Sequence, residues 1–434
     1  MTCLFSQERT LLQRIPAIAP HGRVSQSVGM LIESIGPECS LGEICHVKTR
    51  KGEYIPCEVV GFRNHHILLM SLGSMVSIQS DDEVIPTHQV FRVPVSDDLL
   101  GRVINALGEP IDGKGTIFPE QYAPIFIAPP SPMERSVIDT LFITGVRAID
   151  GLCTLGRGQR VGIFAPPGVG KSTLLSMIAH LSQADIFIFA MIGERGREVK
   201  EFVEKQLGEE GMKKSVVIAV TSDQSALLRA RGSYTAMAIA EYFRDQGKEV
   251  LFLMDSMTRF AMALREIGLA AGEPPATKGY TPSVFAQLPQ LLERAGNFPT
   301  GSITALYTIL VEGDHPEDDP IAEAARSILD GHIILSRKLA TSNHYPAIDC
   351  LQSLSRLMAS LAEESHQKKA NQVREWMHTY REAEDLINIG AYVAGNNPQI
   401  DQAIHAHPKI RAFLAQGTCE ATSLEEMQRQ LLCI

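Results

Sequence analysis

A strand-like apolar run, RVGIFA (160–165), is followed at once by PPGVGKST (166–173) and then by LLSMIAHL, an amphipathic helical pattern. The prolines and glycines of the middle segment cannot extend either neighbour, so the chain must turn there. Gly168 and Gly170 let it turn tightly and aim successive N–H groups into one concavity. The start of the next helix adds partial positive charge. Such a cradle suits phosphate. Pro167, Gly168, Val169, Gly170, Ser172 and Thr173 form it, Lys171 can reach the β and γ phosphates, and the Ser172 hydroxyl can ligand Mg²⁺. One position departs from the pattern: Ala165 stands where the motif has its first glycine. A methyl group is tolerated there if φ is negative.

The loop sits in a longer alternation. DIFIFAMI (185–192), SVVIAVT (215–221), VLFLMD (250–255), SITALYTIL (302–310) and HIILS (332–336) are near-continuous apolar runs, most of them separated by amphipathic stretches. One such stretch predicts a helix through Val199, Phe202, Val203 and Leu207. This pattern is that of a parallel sheet covered on both faces. Ligands of such sheets bind at the C-terminal strand ends. Asp255 closes one run and is placed for the magnesium shell. GERGRE (193–198) follows another. Its spacings, Arg195 to Glu198 and Arg197 to Glu201, are those of helix charge pairs. In a sheet shared with Lys171, however, Glu194 is placed to orient a water against the γ-phosphate. Arg197 and Glu201 keep the plain pairing role.

Around this core the signals change. From Gly22 to about Val95 short β-like runs broken by glycine predict a small barrel or sandwich. His65-His66 lies within one of them and reads as structural. LLGRVINALGEPIDGKG (99–115) reads as turns around one short strand, and APIFIAPPSPMERS (123–136) as a linker. Beyond about 358 the β signal fades. Val373, Trp376, Met377 and Tyr380 recur at helical spacing, and Thr422-x-x-Glu425 marks the start of a last helix. The domains are therefore 1–21, a short extension with Leu11, Leu12 and Ile15 among charges; 22–95, the barrel; 96–358, the α/β core; and 359–434, helical. Eight scattered cysteines without CxxC fit free thiols in a reducing compartment, hence a cytoplasmic protein. The N-terminus lacks signal-peptide features. A net charge of −10 gives no general reason to expect nucleic acid as a partner.

LLGRVINALGEPIDG, TGVRAIDGL, GVGKST, GERGREV, MDSMTRFAMALREIGLAAGEPPATKGYTPSVFAQLPQLLERAG, EGDHPEDDPIAEAARSILDGHIILSR and HYPAIDCLQSLSRLM together carry a resemblance. The chain from about 22 to 360 resembles the type III protein-export ATPases of flagella and injectisomes, relatives of the rotary ATP synthase α and β subunits. The resemblance implies an α/β fold with a RecA-like P-loop core, an N-terminal β-barrel and a C-terminal helical domain. It implies Mg²⁺-dependent ATP hydrolysis by a homohexameric ring, releasing chaperones from cargo and unfolding it for export. By the same resemblance Glu194 is the catalytic carboxylate and Arg195 approaches the γ-phosphate. Glu198 and Asp255 support the magnesium shell, Arg259 lies near the phosphates, Tyr345 packs on adenine, and Arg356 is an arginine finger for the neighbouring subunit. Residues 272–283 would face the pore, where a stalk protein engages. Further implied partners are a stator or regulator, export-gate membrane proteins and chaperone–cargo complexes, with peripheral attachment at the inner membrane.

Three rivals stand against this. A rotary ATP synthase or vacuolar-type catalytic subunit would carry an acidic DELSEED-like lever, absent here, and GERTREG where this chain has GERGREV. An RNA-translocating ring ATPase is disfavoured by the acidic balance. An inactive assembly subunit would have lost some of Lys171, Glu194, Asp255 and Arg356, all of which are present.

Overall fold

The short strands of the first hundred residues close on themselves. The computed structural model describes residues 21–73, 75–311 and 319–434. The segment with Leu11, Leu12 and Ile15, and part of EGDHPEDDP, lie outside them. Two units separate: one runs through Phe91 and includes Leu269–Glu273, and the other holds Arg92–Gly268 and Pro274–Ile434.

In the first unit β1 (Gly22–Val28), β2 (Leu31–Ile35), β3 (Glu43–Lys48), β4 (Tyr54–Arg63), β5 (His66–Ser71) and β6 (Glu83–Val90) form a closed barrel in the order 1-2-5-4-3-6. Closure leaves no sheet edge to protect. Alternation fills the interior: Glu43, Cys45 and Val47 are buried along β3 while the residues between them are half-exposed. Cys45 and Val47 join Val24, Ile32, Ile55, Cys57, Val59, Ile67, Leu69 and Val84 in the barrel core. The paired histidines divide between turn and strand. Asn64 and His65, both at positive φ, make the two-residue turn between β4 and β5, and His66 opens β5.

The second unit is built on a nine-stranded sheet. Its strands are β7 (Arg102–Ile104), β8 (Arg160–Ala165), β9 (Ile186–Ile192), β10 (Ser215–Val220), β11 (Glu249–Asp255), β12 (Ser302–Leu310), β13 (Gly331–Ile334) and β14 (Leu354–Ser355), with Gly296–Asn297 pairing beside β12. The main path runs 14-13-8-12-11-9-10-7. All neighbours on it are parallel except β13 and β14. β9 and β10 are buried at every position, as strands covered on both faces must be. The helices that matter below are α1 (Lys171–Leu181), α2 (Gly196–Glu201), α3 (Ala226–Asp245), α4 (Met257–Ala271), α5 (Pro282–Leu292), α6 (Pro320–Ile328), α7 (Glu364–Asn388), α8 (Pro398–Leu414) and α9 (Leu424–Leu432). Trp376 of α7 packs half-buried against the core cluster.

Two local expectations are revised. The helix predicted through Leu207 is α-helical only to Glu201, and Phe202–Leu207 forms a π-turn ending at Gly208, φ +61°. Phe202 and Leu207 are both buried and five apart, a spacing that the wider i→i+5 turn brings to one face. The expected linker is pinned, not loose. Gln121–Pro124 pairs with Arg92–Val95, and Arg294 donates to the Ile125 carbonyl at 2.6 Å while its fork holds buried Glu241. A buried backbone carbonyl needs such a donor.

Candidate active site

β8 ends at Ala165 and α1 begins at Lys171, so the phosphate loop spans the gap between a buried strand and a helix N-terminus. Gly168 and Gly170 sit at φ +80° and +91°, where a side chain would be strained. Val169 anchors the loop in the core, while Pro167, Gly168, Ser172 and Thr173 are exposed.

Strand order then assembles the charges. Two strands, β12 and β11, lie between β8 and β9. Lys171 Nζ reaches past β12 to bond Asp255 Oδ1 at the end of β11. The same Asp255 oxygen accepts the Thr308 hydroxyl from β12 at 2.8 Å. Glu194 follows β9, and its Oε1 is 3.9 Å from Lys171 Nζ. The two carboxylates thus hold a cation between them. Burial pushes the Glu194 carboxyl up to about 7, with the Asp255 charge adding to the rise and Lys171 opposing it. Glu198 acts in the same direction as burial.

Arg195, Gly196 and Arg197 of GERGRE are exposed. Arg195 is exposed and 3.8 Å from Glu198, whereas Arg197 bonds Glu201 at 2.9 Å across one helical turn. Gly193, at φ +73°, lets Arg259 of α4 pack against the backbone: a Cβ there would lie 3.0 Å from that of Arg259. Arg259 Nε is buried without a hydrogen-bond partner. A buried guanidinium N–H left open beside a phosphate cradle fits an anionic ligand. The Tyr345 ring overlies the loop, 3.4 Å from where a Gly170 Cβ would project, and is 43% exposed.

Arg356 stands apart. It follows β14, whose Ser355 pairs with Gly331 at the start of β13, and its N–H bonds the Asp330 carbonyl. Asp330 is level with Arg160 at the start of β8, whereas the phosphate loop begins after Ala165. Five residues of strand, about 16 Å, separate the two levels. Arg356 is exposed, and its guanidinium donates to the Arg326 carbonyl at 3.2 Å.

Sequence reasoning passed over three supports. Thr308 lies inside an apolar run and gave no sign of its role. Arg147 is buried and bonds the carbonyls of Phe413 and Ala415 and the Glu420 carboxylate. Gln416 accepts from Arg147 N–H, donates to the Gly145 carbonyl, and its own N–H bonds the Tyr345 carbonyl. Only tertiary structure brings residues some 270 positions apart into register.

The oxygen donors Ser172, Asp255, Glu194 and Glu198 are of the hard type that magnesium takes, and two of them already gather a cation. No helix among the described residues is long and apolar enough to cross a membrane.

Residues 145–355 match the nucleotide-binding domain of the ATP synthase alpha/beta family, and 362–432 match the T3SS EscN ATPase C-terminal domain. The flagellum-specific ATP synthase of Bacillus subtilis (strain 168) is 52% identical over 94% of this chain and 93% of its own length. A type 3 secretion system ATPase of Sinorhizobium fredii is 49% identical over 95% of this chain and 92% of its own. The assembled ATPase EscN of the enteropathogenic E. coli type III secretion system superposes with a TM-score of 0.91 at 43% identity, covering 95% of this chain and 99% of that one. EscN in complex with its central stalk EscO gives 0.87 at 42% identity over the same shares of the two chains.

Proposed function

Since the chain belongs to the flagellar and type III secretion ATPases of the ATP synthase alpha/beta family, we propose that it hydrolyses ATP to energise type III protein export. The observation that carries this is the meeting of Lys171, Asp255 and Glu194 at the C-terminal ends of β8, β11 and β9. The loop N–H groups hold the phosphates, Lys171 leaves Asp255 for the β and γ phosphates, and Arg259 Nε finds its acceptor there. Ser172, Asp255 and Glu198 would hold Mg²⁺, which when bound neutralises charge on the phosphate oxygens. Glu194 orients the attacking water and, once Lys171 has turned to phosphate, takes up its proton. Tyr345 stacks on the adenine.

Arg356 lies at the far edge of the sheet and cannot reach its own phosphate loop, which supports a finger acting on a neighbour. The acting form is therefore a homohexameric ring with sites between subunits, in which Arg195 also turns to the γ-phosphate. Residues 272–283 face the pore and a stalk protein. The ring releases chaperones from cargo and unfolds cargo in the cytoplasm, docked peripherally at the inner membrane on a stator and the export gate.

The test is Lys171→Ala in the purified chain. Hydrolysis is expected to fall to background while the barrel and sheet fold normally. Full activity in that variant overturns the assignment.

A further inference from the structure

Away from the phosphate site, one end of the barrel gathers soft donors. Glu43 and Cys45 are two apart on β3, so both side chains point inward. The loop before β3 folds Cys39 back over them, and the Cys39 and Cys45 sulfurs are 3.4 Å apart. The ligand atoms of Cys39, Glu43 and Cys45 all lie within 4.8 Å of one another. Two sulfurs on one tetrahedral zinc, with bonds near 2.3 Å, stand about 3.8 Å apart.

A second feature points at the same place. The β3–β6 pairing shifts register between Glu43 and Cys45, where β6 carries extra residues. His88 in that bulge adopts φ +55°, and its Nδ1 lies 3.4 Å from Glu43 Oε1. Bulges re-aim side chains, and a non-glycine residue in the left-handed region is held there against its preference. Glu43 is 6% exposed, and among the described residues its one ion pair is with this histidine. Backbone N–H groups of Ser40 and His88 fix the carboxylate at 3.0 and 2.9 Å.

We propose that the barrel holds one zinc-type transition-metal ion through Cys39 Sγ, Cys45 Sγ and the Glu43 carboxylate, with the His88 imidazole, exposed at the rim beside Glu43, turning in as fourth ligand. Binding removes one proton from each thiol to solvent, and two thiolates, one carboxylate and one neutral imidazole surround the dication. Uptake is therefore proton-linked, tightening as pH rises. The neighbouring Cys57 is outside the set: its thiol donates to the Ile55 carbonyl at 3.6 Å.

The experiment is Co²⁺ titration of the full chain, reduced and metal-free, followed by Zn²⁺. One equivalent of Co²⁺ should give sulfur-to-cobalt charge-transfer absorption that Zn²⁺ abolishes. Co²⁺ on the oxygen donors of the phosphate site gives no such band. Cys39→Ser, in a half-exposed loop, should lose the band, and Glu43→Gln should weaken Co²⁺ binding about 10–100-fold or more, a range that loss of even an outer-shell partner reaches. Cys57→Ser should retain both. No sulfur band in the wild type, or a band that survives Cys39→Ser, overturns the proposal. So does a Cys39–Cys45 disulfide, two hydrogens lighter, as the sole product of adding metal in air.

Discussion

The two edges of the central sheet treat charge in opposite ways. At the C-terminal edge Lys171, Asp255 and Glu194 come from three strands and satisfy one another in a half-buried cluster. At the opposite edge Arg356 stands exposed, held by its backbone and one carbonyl. The first edge is complete enough to bind and too well neutralised to be idle charge. The second is an exposed cation whose guanidinium, among the described residues, bonds one backbone carbonyl. On the proposed reading these are two unlike halves of a site, which a ring would join between neighbours.

Arg356→Ala tests the division most severely. Turnover under assembling conditions should fall by roughly 10³–10⁵, the worth of an arginine finger, while nucleotide binding persists. Mixing this variant with Lys171→Ala should restore part of the activity, because some interfaces then hold an intact loop facing an intact arginine. No recovery from a mixture that co-assembles would break the comparison. Glu194→Gln sharpens the first edge: hydrolysis should drop about 10²–10⁴-fold with ATP still bound. The same variant carries a pH signature in the ligand-free chain. With its carboxyl raised to about 7, Glu194 favours the fold fully below its unfolded value near 4.5. That contribution is lost as pH rises through 7. Melting temperatures should therefore fall for wild type between about pH 5 and 8 and fall less for Glu194→Gln. Tyr345→Ala is the mildest. Losing a stacked base costs about 1–3 kcal/mol, so KM for ATP should rise roughly 5–150-fold with little change in kcat.

Much of the first edge was readable in the sequence, because a glycine-rich turn between apolar and amphipathic periods constrains backbone and chemistry together. Strand ends marked by Asp255 and Glu194 followed from the same alternation. The barrel was readable as a class, since short alternating strands close or stack. Its register was not, and so the convergence of Cys39, Glu43 and Cys45, and the approach of His88 to Glu43, were invisible: a bulge has no periodicity. The π-turn after Glu201 escaped for a related reason, as Phe202 and Leu207 fit an α-helical face loosely until burial decides. Thr308 and Arg147 were hidden because their partners lie far away in sequence.

The Arg147 cluster has a consequence for how the chain is made. Arg147 emerges early, yet its acceptor Glu420 follows 273 residues later. At about 5–20 residues per second a ribosome needs roughly 15–55 seconds to bridge them. Until then a guanidinium destined for burial lacks its acceptors, and Gln416 is not there to hold the backbone of Tyr345. The backbone that carries Tyr345 is thus fixed only after residues far downstream of it, Gln416 through Glu420, have been made.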